Sequence, residues 1–476
     1  MATMVQTATR PASGWQGETR ALLALAGPLV LAQLGQIAIQ TTDVIMIGWL
    51  GPEQLAAASL GTVAVFVLLL FGIGVVSATS PMIAQALGRR RWLVREPRRT
   101  VRQGFFAALL VGIPVSLLLW QIEPILLVFG QDPKLVAMTE PYVQAALFAI
   151  VPALLTIGLR NFINALERPR AGMVVTFAGI VFNAVANYGL IFGAFGLPAL
   201  GLLGAGIATA LTNLAQLGAL LGFVLLDRRL RRYRLLGRLW RADWARLLEL
   251  LRIGVPIGVT LVFEVGLFGG AVYLMGLIGT AELAAHQIAI QIASVSFMVP
   301  LGISQAATVR VGLAAGRHDL RRARRAGLAA LALGTAFMAT MAVVMLTLPE
   351  PLIHIFIDTA EPGNRRVVEL ATTFLAIAAL FQIFDGGQVI GAGALRGLRD
   401  TRVPMTIAGI GYWGIGFTAA VVLGFVLDQG GAGIWFGLLI GLVATAGPLL
   451  WRFFRLTRQP AAEPSGLRPR STAAPA

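Results

Sequence analysis

The sequence predicts an all-α integral membrane protein with twelve transmembrane helices in two six-helix bundles. Three observations carry this expectation: repeated apolar stretches of about 20 residues or more, an alternation of basic and acidic loops between them, and an internal repeat. Of the 476 residues, 57% are hydrophobic and only 13% charged, which leaves more apolar surface than a soluble fold can hide. The 38 basic residues against 22 acidic ones do not form one basic domain. They sit between apolar spans, which argues against a nucleic-acid partner. With no Cys in the chain, disulfides, zinc–thiolate sites and thiol catalysis are excluded. The three histidines, His286, His318 and His354, are too scattered to suggest a metal cluster.

The N-terminal segment, residues 1–20, is polar and lacks the basic start, short apolar core and cleavage site of a secretory signal, so it reads as a cytoplasmic segment ahead of the first span. The spans follow at 22–50, 55–88, 103–129, 137–165, 171–195, 201–226, 251–278, 283–312, 326–349, 369–395, 404–427 and 432–454. Every second loop is rich in arginine. These loops carry Arg89, Arg90, Arg91, Arg95, Arg98, Arg99 and Arg102, then Arg168 and Arg170, then a group from Arg228 to Arg238, then Arg317 to Arg325, then Arg396, Arg399 and Arg402. The intervening loops are short and neutral or acidic, with Glu53, Asp132, Glu282, Asp358, Glu361 and Asp428. By the positive-inside rule the basic loops and both termini face the cytoplasm. The predicted organisation is a first lobe over 21–226, a cytoplasmic linker over 227–250, a second lobe over 251–456 and a disordered Pro/Ala/Ser/Arg tail over 457–476. Trp240 to Leu251 within the linker reads either as an interfacial amphipathic helix or as a solvated connector.

Laid on itself at a shift of 228 residues, the chain aligns Pro28 with Pro256, Gly48 with Gly276, Gly74 with Gly302, and Gly88-Arg89 with Gly316-Arg317. Glu123-Pro124 recurs as Glu350-Pro351, and Gly204-Ala205-Gly206-Ile207 as Gly431-Ala432-Gly433-Ile434. Each copy holds an even number of spans, so the halves share orientation. Their repeat axis then lies along the membrane normal, with a site expected between them.

Three carboxylates, Asp43, Glu264 and Asp385, fall near the middle of otherwise apolar spans, where an acid costs roughly 2.5–3.5 kcal/mol on insertion scales. Such groups suit the binding and release of cations, and the pattern points to a transporter. Gln33, Gln36, Gln40 and Asp43 share one face of the first span. Asn183 and Asn187 follow at helical spacing on the fifth, and Thr209 on the sixth. Asp43, Asn183, Asn187 and Thr209 make an oxygen-rich set suited to sodium, although the amides also fit a role as interhelical glue. In the second half, Gln382 and Gln388 flank Asp385, while Gln287, Gln291 and Ser294 form a stripe on span eight. Glu264 with Asp385 is the alternative place for sodium, and a desolvated carboxyl without a cationic partner also takes up a proton readily.

QTTDVIMIGWLG around Asp43, FEVGLF around Glu264, AAHQIAI at 284–290 and QIFDGGQVIGAGALRGLRDT around Asp385 together resemble the multidrug and toxic compound extrusion (MATE) family, in its NorM-like branch. The likeness runs from about Leu22 to Arg455. It implies two six-helix bundles about a V-shaped cavity and export of amphipathic, often cationic compounds in exchange for sodium or protons, with no cofactor and no enzymatic activity. It carries Asp43 onto the family's first-helix acid, Asn183, Asn187 and Thr209 onto its polar partners, and Glu264 and Asp385 onto the acids of a second-lobe cation site. Arg396, Gly397 and Asp400 match the loop after helix ten, which reads as a cytoplasmic hairpin. Small molecules, a monovalent cation and membrane lipids are the expected partners of a monomer in a bacterial inner membrane. A lipid-linked oligosaccharide flippase of the same broad superfamily would share the repeat but should carry cationic residues in its cavity. A polytopic membrane enzyme would need clustered catalytic groups, and none is visible.

Overall fold

Twelve helices long and apolar enough to cross a membrane follow from the composition: α1 (Trp15–Gly48), α2 (Pro52–Arg89), α3 (Arg95–Trp120), α4 (Pro133–Ala165), α5 (Arg170–Phe192), α6 (Gly201–Leu226), α7 (Trp244–Ile278), α8 (Thr280–Gly316), α9 (Leu320–Thr347), α10 (Pro362–Gly397), α11 (Arg402–Val426) and α12 (Gly430–Leu456). The structure is a computed structural model that describes residues 14–89, 94–237 and 241–458, without a strand among them. Expectations for the first 13 residues, for Arg90, Arg91, Arg238 and Trp240, and for the tail from 459 lie outside the described residues. Helix starts follow local chemistry. Asp132, Asp243 and Asp319 cap α4, α7 and α9 by accepting from amides of the first turn, and Pro52 and Pro133 sit where a missing N–H costs nothing. Hydroxyls within the spans mostly donate to the carbonyl four residues earlier, as Thr42 does to Ala38 at 2.8 Å, so they are met without water.

Three expectations change. The third span ends at Trp120 rather than 129: Gln121 leaves the helical region (φ −96°, ψ 44°) and a short helix, Ile122–Val128, follows. Pro124 in its first turn explains the break, since a proline ring collides with a preceding turn of helix. The second half repeats the device, with Leu348 (φ −129°, ψ 47°) ahead of the short helix Pro349–His354. The segment before 251 is neither a separate interfacial helix nor a solvated connector. From Trp244 it forms the first turns of α7, and Leu247 and Leu250 are buried against Val75, Ala78 and Met82 of α2. The N-terminal segment is likewise helical from Trp15.

The halves join at the end that carries the arginine loops. One apolar cluster there unites Leu22, Leu25 and Leu29 of α1 with Ile303 and Ala307 of α8 and Ile390 of α10, and a second unites α2 with α7. Toward the opposite end the described clusters stay within one half each, around Val143 and Leu154 in the first and around Phe374, Trp435 and Leu438 in the second.

The joint obeys the sequence repeat. A Cβ on Gly74 would fall 2.3 Å from the Gly258 Cα, and one on the equivalent Gly302 would fall 2.8 Å from the amide nitrogen of Val30, the equivalent of Gly258. Similarly, a Cβ on Gly88 would fall 2.3 Å from the Leu313 carbonyl, and one on Gly316 would fall 2.2 Å from that of Gln85. Lipid offers no hydrophobic drive for helix association, so such close backbone contact through small residues supplies it by dispersion.

Charge pairs repeat as well, with polarity reversed. Glu167, in a left-handed conformation (φ 59°), pairs with Arg310. Arg399 (φ 62°), two residues past the end of α10 as Glu167 is two past the end of α4, donates to the carbonyl of Met82, the residue equivalent to Arg310, at 3.5 Å, and pairs with Glu249 at 2.6 Å. Arg168 pairs with Asp227 at 2.7 Å at the end of α6, whereas Asp400 pairs with Arg452 of α12. Glu18 at the start of α1 holds Arg310 at 2.6 Å and Arg322 at 3.3 Å; its equivalent at the start of α7, Arg246, holds Glu96 of α3 at 3.3 Å.

Glu18 and Arg310 are buried, with side chains 3% and 8% exposed, and removing one partner of such a pair costs about 3–5 kcal/mol. Arg310→Met is therefore expected to lower the thermal unfolding midpoint in detergent far more than Arg365→Met, whose pair with Glu369 is exposed. Gly74→Val is expected to prise the halves apart. Because the chain lacks cysteine, a single Met82→Cys can report it: maleimide labelling should accelerate by about tenfold, the equivalent of ~1.4 kcal/mol in the opening equilibrium.

Candidate cation and substrate site

Asp43 lies half-buried on α1, beside two amides that α5 presents one turn apart. Asn183 Nδ2 donates to Asp43 Oδ1 at 2.9 Å and Asn187 Nδ2 to the same oxygen at 2.6 Å; Asn187 also donates to Asn183 Oδ1 at 3.2 Å. An ionised carboxylate only accepts, so both amides turn NH₂ groups toward it. The Asn183 oxygen is taken up by Asn187, while Asn187 Oδ1 is buried without a partner among the described residues. Thr209, placed in this set by the sequence, donates its hydroxyl to the Ala205 carbonyl at 3.0 Å. Gln36 is half-buried and Gln40 exposed on the stripe leading to Asp43. The sequence reading missed Tyr142: it hydrogen-bonds Thr62 at 3.1 Å and lies within electrostatic reach of Asp43. A lone tyrosine in the apolar α4 was the available signal.

The second half brings its acids together differently. Asp385 on α10 and Glu264 on α7 lie within electrostatic reach of each other, and Tyr412 of α11 within reach of both. Asp385 is 6% exposed, and Gln382 and Gln388 on either side are fully buried. Their polar atoms are short of partners: Asp385 Oδ1, Gln382 Oε1 and Gln388 Oε1 make no hydrogen bond among the described residues, although Gln382 does donate through its nitrogen to the Met345 sulfur at 2.6 Å, and the Tyr412 hydroxyl lies beside the Gln388 side chain. Buried polar atoms left unmet are costly. Three of them along one stretch of α10, with Glu264 within electrostatic reach of Asp385, form a set of oxygens that a cation or water would satisfy. Gln287 and Gln291, expected beside this set, are exposed on α8, while the adjacent His286 points inward against Trp435 with a ring separation of 5.4 Å.

Local backbone helps to explain Tyr412. Residues Gly409–Phe417 form a π-helical stretch, an irregularity that often marks functional sites in membrane helices. Trp413 of that stretch donates to the Phe263 carbonyl at 3.2 Å, beside Glu264. The Gly-rich run GIGYWGIG was the sequence signal.

Two cations within the spans were also missed. Arg396, read as part of a hairpin, belongs to the last turn of α10 and lies within electrostatic reach of Glu264. Arg160 on α4 donates to Thr176 at 3.0 Å and Gln216 at 3.1 Å. The rest of the supposed hairpin closes the joint, since the Gly397 carbonyl accepts from Gln85 of α2 at 2.9 Å.

A sequence model of the MatE family matches the chain twice, at residues 28–189 and 256–422, beginning at the two equivalent prolines. The chain belongs to the MATE family. It is similar to the probable multidrug resistance protein NorM of Mesorhizobium japonicum, 50% identical over 451 residues, which are 95% of this chain and 97% of that protein. The multidrug resistance protein NorM of Burkholderia vietnamiensis is 42% identical over 92% of this chain and 94% of its own length. Among solved structures, the eukaryotic MATE transporter AtDTX14 superposes with a TM-score of 0.82 at 21% identity, covering 93% of this chain and 97% of its own. An outward-facing multidrug resistance MATE family transporter of the MOP superfamily gives 0.82 at 16% identity, covering 92% and 96%. These structures share the MATE fold with this chain, a multi-pass membrane protein.

Hydrogen bonds to a charged group are worth about 1.5–3 kcal/mol each. Asn187→Ala in this MATE chain is accordingly expected to destabilise it by that amount, and Asp43→Asn in the same chain should relieve most of the loss. A double-mutant cycle on thermal unfolding measures the coupling.

Proposed function

We propose that this protein is a secondary active multidrug efflux antiporter, exporting amphipathic, often cationic compounds in exchange for sodium or protons by alternating access. The observation that carries the reading is the second-half site, in which Asp385, within electrostatic reach of Glu264, shares a stretch of α10 with buried glutamine oxygens that lack partners among the described residues. Family membership and the NorM names of its relatives support the substrate class. Positive-inside reasoning puts the arginine-rich end, and both termini, in the cytoplasm of a bacterial inner membrane. A joint closed at that end and separate cores at the other correspond to a cavity open to the outside.

The cycle follows from differential affinity. With the cavity facing the cytoplasm, a cationic amphiphile enters between apolar walls and is held by carboxylate charge and aromatic surface. Facing outward, sodium or a proton neutralises Asp385 and Glu264, the compound loses its counter-charge, and it leaves. Each ligand biases the orientation it binds better, which couples the two flows. Asp43, already engaged by two amides, suits substrate or proton, while the oxygen set around Asp385 suits sodium. The two lobes, 21–226 and 251–456, rock about the joint through the linker 227–250, and the protein works as a monomer without a cofactor.

A flippase for lipid-linked oligosaccharides is the second reading, favoured by Arg160 and Arg396 inside the spans. Arg396 lies within electrostatic reach of Glu264, however, which leaves less free positive charge for a pyrophosphate.

Uptake of a fluorescent cationic dye into inside-out proteoliposomes separates these readings. Dye accumulation should follow an imposed sodium or pH gradient, and Asp43→Asn, Glu264→Gln and Asp385→Asn should each reduce it by tenfold or more, as expected for loss of ~1.4 kcal/mol or more of coupling. Equal transport without either gradient, or by all three variants, would sink the antiporter.

A further inference from the structure

Around the start of α3 the arginines crowd without enough acids to match them. Arg95, Arg98, Arg99 and Arg102 fall at positions i, i+3, i+4 and i+7 of one helix, so their side chains share a face. Like charges so placed repel one another, and their position in the first two turns sets them against the positive end of the helix dipole. Together with Arg241, Asp243 and Trp244 they line a cavity of about 400 Å³. A second cavity of about 360 Å³ adjoins it, lined by Arg98, Arg102, Arg234 and Gly237.

Among the described residues the only acid lining these cavities, Asp243, is already occupied: it pairs with Arg99 and caps α7. Glu96 is drawn to Arg246, and Arg102 is held by the carbonyls of Leu235 and Arg234 at 3.1 and 3.3 Å. Arg98 differs from these, because its Nε is buried and makes no hydrogen bond to any described residue. The flanking stretches 90–93 and 238–240, read as RRWL and RLW, contain no acid that could supply the missing charge.

We propose that this cavity binds a phosphate-bearing anion. The fork geometry of guanidinium groups suits two oxygens of one phosphate, the dipole of α3 adds to the field, and the volume falls within the range of small-molecule sites. The site lies at the membrane end that carries the basic loops, and Trp244 at its rim is 74% exposed, as suits a side chain at the headgroup level. The phosphate can come from an anionic phospholipid headgroup or from a free phosphate. One wall belongs to α3 of the first half, and the other, Arg241 to Trp244, leads into α7 of the second. A bound anion therefore ties the halves together at their joint and favours the arrangement described here.

The test is thermal unfolding of the purified full chain in a neutral detergent, followed by tryptophan fluorescence. Titrants are dioctanoyl phosphatidylglycerol, dioctanoyl phosphatidylcholine and inorganic phosphate. Variants are Arg95→Gln with Arg98→Gln, and Arg325→Gln as a control on an exposed arginine elsewhere on the same end. Phosphatidylglycerol should raise the unfolding midpoint saturably. Half-saturation should move at least about tenfold higher in the double variant, the loss expected when charge-assisted hydrogen bonds are removed, and stay in place in Arg325→Gln. Stabilisation by phosphatidylglycerol alone identifies a lipid headgroup; equal stabilisation by inorganic phosphate identifies a free anion. Phosphatidylcholine acting as well as phosphatidylglycerol, no midpoint shift with any titrant, or a double variant that titrates like the unmodified chain would each overturn the proposal.

Discussion

A charge inside a hydrocarbon layer must be met within the protein, and this constraint sorts the charged residues of the chain into distinct groups. At the arginine-rich end Glu18 is met across the halves by Arg310 and Arg322, so charge there serves the joint. Asp43 is met within its own half by the amides of Asn183 and Asn187. Asp385 differs from these two acids, with one carboxylate oxygen buried and unpaired among the described residues, as are the neighbouring glutamine oxygens. A static fold gains nothing from that arrangement. A protein that takes a cation up and lets it go does.

The repeat supplies the frame on which this difference is built. Equivalent glycines bring backbones into contact at equivalent places, Gly74 with Gly258 and Gly302 with Val30. Yet the charges on that frame are inverted, acid for base, at Glu167 and Arg399, at Arg168 and Asp400, and at Glu18 and Arg246. Of these, Glu18 and Glu167 reach across the halves to Arg310, and Arg246 reaches across to Glu96, whereas the pairs of Arg168 with Asp227 and of Asp400 with Arg452 stay within one half. Backbone contact and paired charge are thus concentrated at one end. The opposite ends of the halves keep separate cores and are tied by fewer constraints.

Much of this was legible in the sequence. Helix number, the repeat and the three intramembrane acids follow from hydropathy and from a 228-residue shift, because in lipid only helices and closed barrels satisfy the backbone. The break before Pro124 was missed, although that proline recurs at Pro351. What the sequence hid depends on rotation about helix axes and on neighbours remote in the chain. Gln287 and Gln291 share a helix face by spacing, but only their neighbours decide that this face is exposed while His286 is buried. Tyr412 joins the acids through a π-helical stretch that no periodicity reveals. Arg396 lies near the end of a span, where an arginine ordinarily reads as a loop residue; its proximity to Glu264 depends on how α7 and α10 meet.

The most direct test of the central claim, that the unpaired oxygens of the second half take up the coupling cation, is equilibrium binding of radioactive sodium to the purified protein at high and low pH. The account predicts saturable sodium binding that protons displace, retained in Asp43→Asn and lost in Asp385→Asn. Binding lost in Asp43→Asn and kept in Asp385→Asn would contradict it.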